Sequence, residues 1–197
     1  LNVALVPADQ DFGGCLELQK TDATQKLRYM GETPLLPGCY LQIRVRVKAM
    51  SGNLPAVRIA AWAGGAGGAH VDGVTEAGPS TTLTTYGEVV EVRAIVGSGT
   101  RGGVDMPWGS GALYGHFGLD LTGPTGGIVR IDDVVIEDVT SYFLRDMLSL
   151  VDVRDYGAYG DGIFDNSAAF TAANAAAAGR RVLVPAGSYF LDDSVTF

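Results

Sequence analysis

The chain has 197 residues, 47% of them apolar, and carries 14 basic against 22 acidic side chains for a net charge of −8. That apolar content excludes a disordered tail and suffices for one large core or two modest ones. The stretches on both sides of Arg145 are acidic, so there is no basic footprint for nucleic acid, and no run is long and apolar enough to insert into a membrane.

The opening segment, LNVALVPADQ, lacks the basic and apolar regions of a signal peptide. The sequence starts at Leu1 without a methionine, which suggests processing or a fragment and leaves a removed signal open. Cys15 and Cys39 are too sparse for a disulfide scaffold. Each opens a strand-like run, where small buried thiols are common, so they are read as buried free thiols or as one disulfide.

Strand patterns follow in order. CLELQ (Cys15 to Gln19) comes first, and then CYLQIRVRVKA alternates without error. Cys39, Leu41, Ile43, Val45, Val47 and Ala49 share one face; Tyr40, Gln42, Arg44, Arg46 and Lys48 share the other. AVRIAAWA (Ala56 to Ala63), EVVEVRAIV (Glu88 to Val96) and LYGHFGLDL (Leu113 to Leu121) are similar, with turn formers such as SGN, GSGTRGG and TGPTGG between runs. Many strands without helical periodicity predict a mostly β fold, an antiparallel sandwich over residues 1–140. In its last strand, Ile128 to Thr140, the apolar parity changes between Ile131 and Val134, which predicts a β-bulge at Asp132 and Asp133 that re-aims one carboxylate.

The PGCYLQIRVRVKA run followed by a closing IDDVVIEDV resembles the jelly-roll carbohydrate-binding modules of the galactose-binding-like group over about Cys15 to Val139. The resemblance implies a jelly roll whose terminal strand lies beside a structural calcium site. Asp132 and Asp133 are the residues that could serve it, since hard cations prefer carboxylates; the bulge alone is the other explanation of the pair. No other cofactor is required.

Residues 141–150 form a linker, either a turn or two of helix or an extended connector. From Val151 the chain reads Gly157, Ala158, Gly160, Asp161, Gly162, then Asp165, an alanine-rich run to Ala178, Gly179, and Pro185, Gly187 and Tyr189. This order resembles the N-terminal entrance of the right-handed parallel β-helix of the pectate-lyase superfamily, found in polysaccharide lyases, epimerases and phage tailspikes. Residues 151–197 are therefore expected to be the helix-capped start of such a β-helix, with Asp165 or Asn166 capping the helix, Gly179 ending it, and Phe170, Ala173 and Ala177 on its buried face. A lid implies further coils, because a solenoid needs about three repeats for stability. The chain is expected to be an N-terminal piece of a longer protein.

Catalysis is not expected in this segment. Asp192 and Asp193 are neighbours, which on a strand point to opposite faces, and His70 and His116 have no nucleophile elbow before them. If the whole protein is an enzyme, the resemblance implies a polysaccharide lyase or glycoside hydrolase with its site on later coils. GGAGGAH lacks the lysine of a phosphate loop and reads as a flexible surface loop.

Glycan recognition leaves aromatics beside hydrogen-bonding groups. Trp108 lies in a glycine-rich loop near Asp105, Tyr114 and His116, and either faces solvent or folds back to plug an end of the sandwich. Trp62 shares parity with Arg58 and either faces out or packs in a second layer. The stripe Tyr40, Arg44, Arg46 and Lys48 either follows an acidic polysaccharide or is a solvated face paired with Glu88 or Glu91.

Three functions are consistent with this sequence. The first is recognition of bacterial surface polysaccharide by a spike on a phage or phage-like particle, commonly a homotrimer as the resemblance implies. The second is a module of a secreted lyase, epimerase or hydrolase. The third is an anchor to capsid or tail proteins.

Overall fold

A computed structural model describes residues 2–99 and 101–197, with the side chains of residues 144–147 outside the description. The chain divides into two units, Leu1–Thr140 and Ser141–Phe197.

In the first unit the strands are β1 (Asn2–Val6), β2 (Cys15–Gln19), β3 (Gln25–Arg28), β4 (Thr33–Pro34), β5 (Tyr40–Ser51), β6 (Ala56–Gly64), β7 (Ala77–Thr82), β8 (Val90–Gly97), β9 (Met106–Pro107), β10 (Tyr114–Thr122) and β11 (Ile128–Asp138). They form a two-sheet β-sandwich. One sheet has the order β1-β2-β11-β5-β8-β9; the other has β3-β10-β6-β7, with β4 also on β10. All pairings between strands are antiparallel except the short β8–β9 pair.

One parity of every long strand supplies the core. Ile43, Val45, Val47 and Ala49 of β5 meet Val57, Ile59, Ala61 and Ala63 of β6, Val92, Ala94 and Val96 of β8, Phe117, Leu119 and Leu121 of β10, and Val129 and Ile131 of β11. Burial of this apolar face fixes register, because a slip by one residue would turn each of these side chains to solvent.

The bulge is where the parity change places it. The β11–β5 register shifts between Asp132 and Val134, and Asp133 takes a left-handed φ of 38°. Asp132 turns outward opposite Arg46, while Ile136 returns to the inner face opposite Ile43.

The second unit begins where the open connector resolves as a helix, α1 (Thr140–Met147). It continues with β12 (Leu150–Asp152), β13 (Asp161–Asp165), α2 (Ser167–Ala177), β14 (Arg181–Leu183) and β15 (Ser188–Phe190). β12 pairs with β14 and β13 with β15, both parallel. These are two two-stranded pairs, and the described residues contain no full coil of a parallel β-helix.

Asp165 holds the start of α2: its Oδ1 accepts from Ser167 N at 3.0 Å and Ser167 Oγ at 2.6 Å. Asn166, the N-cap position, makes no capping bond; its Oδ1 accepts from Tyr159 N at 2.6 Å instead. Ala178, with φ of 46°, takes the left-handed C-cap, and Gly179 follows at 86°. Phe170, Ala173 and Ala177 are buried against Val151, Val153 and Ala158.

Candidate functional site

On the outer face of the β3-β10-β6-β7 sheet, side chains sit in rows across the strands. His116 lies opposite Trp62, Gly118 opposite Ala60, and Asp120 opposite Arg58; from β3, Arg28 joins the Gly118 row and Lys26 the Asp120 row. These are the residues of the parity that the core leaves unused.

Trp62 is the centre of one end of this face. Its ring centroid is 5.2 Å from His116, 5.5 Å from His70 and 6.1 Å from Tyr114, and Tyr114 stands edge-on to His116 at 5.6 Å. Trp62, Tyr114 and His116 are half-buried and His70 is exposed. Tyr114 lies directly over Gly64, where an added Cβ would sit 2.2 Å from its ring, so any larger residue there would displace the ring.

The polar atoms of this cluster are turned to solvent. Among the described residues Trp62 Nε1 and the Tyr114 hydroxyl make no hydrogen bond, and neither is a buried unsatisfied atom. His116 Nδ1 lies 3.3 Å from Gly31 O, a contact in which only the nitrogen can donate, so neutral His116 presents Nε2 as an acceptor.

His70 reaches the cluster because GGAGGAH is a built turn. Ala66–Gly68 forms a 3₁₀ turn with Gly67 and Gly68 at φ of 69° and 81°, and a bridge from Gly64 to His70 returns the chain to β6. His70 Nδ1 is 2.8 Å from Asp72 and Nε2 is 3.0 Å from Glu76. Two carboxylates on one ring favour the imidazolium, and Glu76 above all raises the His70 pKa from its ordinary value.

Of the residues expected to bind glycan, Tyr114 and His116 are brought together here. Trp108 is not with them on the surface: it is 2% exposed, stacks on Phe117 with centroids 5.4 Å apart, and donates from Nε1 to Thr75 O at 2.9 Å. It plugs the sandwich, over Gly115, whose glycine leaves room for it; an added Cβ there would meet the indole at 2.7 Å. Asp105 accepts from Ile95 N at 2.8 Å and extends the edge of β8.

The basic stripe of β5 is on the other sheet and is neutralised there. Arg44 pairs with Glu137 at 3.2 Å and Glu91 at 3.5 Å, Arg46 pairs with Asp132, and Lys48 pairs with Asp9 at 2.7 Å and Asp11 at 2.9 Å. Tyr40 and Lys48 are buried. The loop between β1 and β2 lies over the stripe, with the Phe12 ring 4.7 Å from Lys48 Nζ and 5.3 Å from the Arg46 guanidinium. Lys48, followed by Arg130, holds Asp9 well below the usual carboxylate range.

Asp132 and Asp133, the residues that could serve a calcium site, lie at the bulge of β11. The Asp132 carboxylate is taken by Arg46, Asp133 sits exposed on the bulge, and no group of three or more His, Cys, Asp or Glu side chains gathers among the described residues. Calcium takes about six to eight oxygens. Cys15 is buried, Cys39 half-buried, and both are free thiols. No helix among the described residues is long and apolar enough to cross a membrane.

Trp62 and His70 are the members that sequence reasoning left unassigned. The signal for Trp62 was its parity with Arg58; nothing local linked His70 to it, because their meeting depends on the turn at Ala66–Gly68.

No protein-family model matches this chain, and no curated protein matches it. Among solved structures it is similar to the CBM22-1 xylan-binding domain of Paenibacillus barcinonensis Xyn10C, at 14% identity over 70% of this chain and 81% of that one, TM-score 0.46. It is also similar to the CBM22-1–GH10 modules of Clostridium thermocellum xylanase 10B complexed with xylohexaose, at 13% identity over 69% and 24%, TM-score 0.47. A third is the enzymatically active domain of bacteriophage CBA120 tailspike protein 4, at 16% identity over 70% and 18%, TM-score 0.42. This chain thus corresponds to about a quarter or less of the xylanase and tailspike chains.

Proposed function

We propose that the first unit binds polysaccharide on the Trp62 face. The observation that carries this reading is the cluster of Trp62, Tyr114 and His116, whose rings meet while Trp62 Nε1, the Tyr114 hydroxyl and His116 Nε2 have no partner in the described structure. A pyranose has a flat C–H face and a rim of hydroxyls. Aromatic rings receive the face, and unpartnered donors and acceptors beside them receive the rim. No transferable proton, nucleophile or metal is needed for that task.

The second unit supports placing this module in a spike-like protein. Its parallel pairs β12–β14 and β13–β15, the intervening α2, and the glycines at positions 157, 160 and 162 agree with the entrance of a right-handed parallel β-helix. On this reading the chain belongs to the surface of a phage or phage-like particle, assembled as a homotrimer, and attaches it to bacterial surface glycan.

The test is affinity electrophoresis of the purified chain through gels containing bacterial capsular or acidic polysaccharides, with Trp62→Ala and Arg44→Gln alongside. Retardation by at least one polysaccharide, lost in Trp62→Ala and kept in Arg44→Gln, is expected. Wild-type mobility unchanged by every polysaccharide would reject the reading and favour an anchor to capsid or tail proteins.

A further inference from the structure

The same outer face has a second end, and its chemistry differs. Arg58 lies four residues from Trp62 along β6, roughly 13 Å at a strand rise of about 3.3 Å per residue. Between them β6 and β10 carry Ala60 and Gly118, opposite one another, with Arg28 of β3 at the end of the row, so the floor on these two strands is small side chains at backbone level. Gly118 is held to that size by its neighbour: an added Cβ would lie 2.1 Å from Leu27 O.

At this second end three cations share a neighbourhood with one carboxylate, and two of them bind it. Lys26 and Arg58 lie on either side of Asp120 in one row, and Arg28 is in the next. The Asp120 side chain is only 4% exposed. Arg28 Nη2 donates to Asp120 Oδ1 at 2.9 Å, and its Nη1 donates to Leu27 O at 2.8 Å and Leu119 O at 2.9 Å, so Arg28 is committed to the sheet. Arg58 reaches Asp120 Oδ2 with Nε at 3.3 Å and Nη2 at 3.1 Å. Its Nη1 has no hydrogen bond and Lys26, which is exposed, has no ion pair among the described residues.

The count decides the sign. One carboxylate cannot neutralise Lys26, Arg28 and Arg58, so this end is cationic in a chain whose net charge is −8. The cations of β5 contrast with it, since each of Arg44, Arg46 and Lys48 already has a carboxylate partner. The positive charge left over is therefore local to the Lys26–Arg58 end of the glycan face, since the His70 end carries Asp72 and Glu76.

We infer that the polysaccharide taken by the Trp62 face is anionic, with an oxyanion group of a nearby sugar unit seated on Arg58 Nη1 and Lys26. This rests on the reading of the Trp62 face as a glycan site. Guanidinium and ammonium donors recognise a uronate carboxylate and a sulfate ester by the same hydrogen bonds. Asp120, buried and fixed by Arg28, orients Arg58 by occupying its Nε and Nη2 edge. A neutral glycan would use the aromatic end and leave the cationic end solvated.

The experiment compares polygalacturonate, its carboxyl-reduced neutral form and dextran sulfate by calorimetric titration at low and high salt. The proteins are wild type, Lys26→Gln, Arg58→Gln and Trp62→Ala, each checked for an unchanged melting curve. Lys26→Gln alters an exposed side chain and keeps the test sound if Arg58→Gln is destabilised. Polygalacturonate should bind about tenfold more tightly than its reduced form, the ratio expected of one hydrogen bond to a charged group. Lys26→Gln or Arg58→Gln should erase that ratio while residual binding persists, and Trp62→Ala should lose both polymers. Dextran sulfate binding lost in the same cation variants would support the inference and name sulfate as the anion. Equal affinity for polygalacturonate and its reduced form, with Trp62→Ala inactive and no sulfate binding, would overturn the anionic assignment and leave the glycan site standing. Binding of none of the polymers, or binding untouched by Trp62→Ala, would overturn both.

Discussion

His116 and Trp62 face one another across the β10–β6 ladder with ring centroids 5.2 Å apart and planes tilted by 30°. Directly opposite positions on one face of an antiparallel pair are the closest side-chain neighbours a sheet offers. The two rings therefore form a fixed surface set by register, which loop motion does not disturb.

The two tryptophans should separate in a stability measurement. Trp108 fills the sandwich, so Trp108→Ala should cost about 3–5 kcal/mol and could unfold the first unit. Trp62 is half-buried against three rings, so Trp62→Ala should cost roughly 1 kcal/mol, the scale of an aromatic pair. Urea unfolding of the two variants checks this, and equal losses would contradict it.

Gly64→Ala tests the platform without removing any of its functional groups. The new methyl would collide with the Tyr114 ring, which stacks over that glycine. Retention of the sheet by circular dichroism together with loss of glycan binding, as for Tyr114→Ala, is the expected outcome; wild-type affinity would show that the Tyr114 position is immaterial.

The strand pattern, the core parity and the bulge at Asp132 and Asp133 were legible in sequence because each depends on residues adjacent in the chain. β1 and β7 were not: NVALV is largely exposed on both faces, and AGPSTT is polar with a proline, so neither carries an apolar alternation. The site was half legible. Tyr114 and His116 stood out as a local pair, whereas their partner Trp62 lies on β6, more than fifty positions earlier, and only pairing brings it to them. Trp108 drew attention by its glycine-rich surroundings, but those glycines, Gly115 among them, make room for its burial. Pairing of the β5 stripe was legible for Glu91, which meets Arg44 from the neighbouring strand, but not for Asp9, Asp11, Asp132 and Glu137, which come from distant segments.

Protonation of His70 should stabilise the first unit on the acid side. Its folded pKa is raised above the ordinary 6.5 by Glu76 first and by Asp72. The folded state therefore holds the proton more tightly than the unfolded one. The contribution is fully present below about 6.5 and is lost as pH rises through the raised folded value. Thermal melts of wild type and His70→Gln from pH 5 to pH 9 check this: the wild-type advantage should be largest at the acid end and vanish at the alkaline end. A constant difference would contradict the ion pairing of His70.

Metal removal should leave the fold unchanged. With Asp132 bound to Arg46 and no three-ligand group among the described residues, a chelator should not shift the melting temperature, and added calcium should not raise it. A calcium-dependent rise that Asp133→Asn abolishes would instead place an ion at the bulge.

The chain has two tryptophans, so its ¹H–¹⁵N spectrum contains two indole N–H signals, one from the half-buried Trp62 and one from Trp108 bonded to Thr75 O. Titrating the labelled chain with a polysaccharide that retards it in affinity gels tests the glycan face most directly. The Trp62 signal should move with saturation while the Trp108 signal stays in place. Saturable binding that leaves the Trp62 signal unmoved would contradict the assignment of the site.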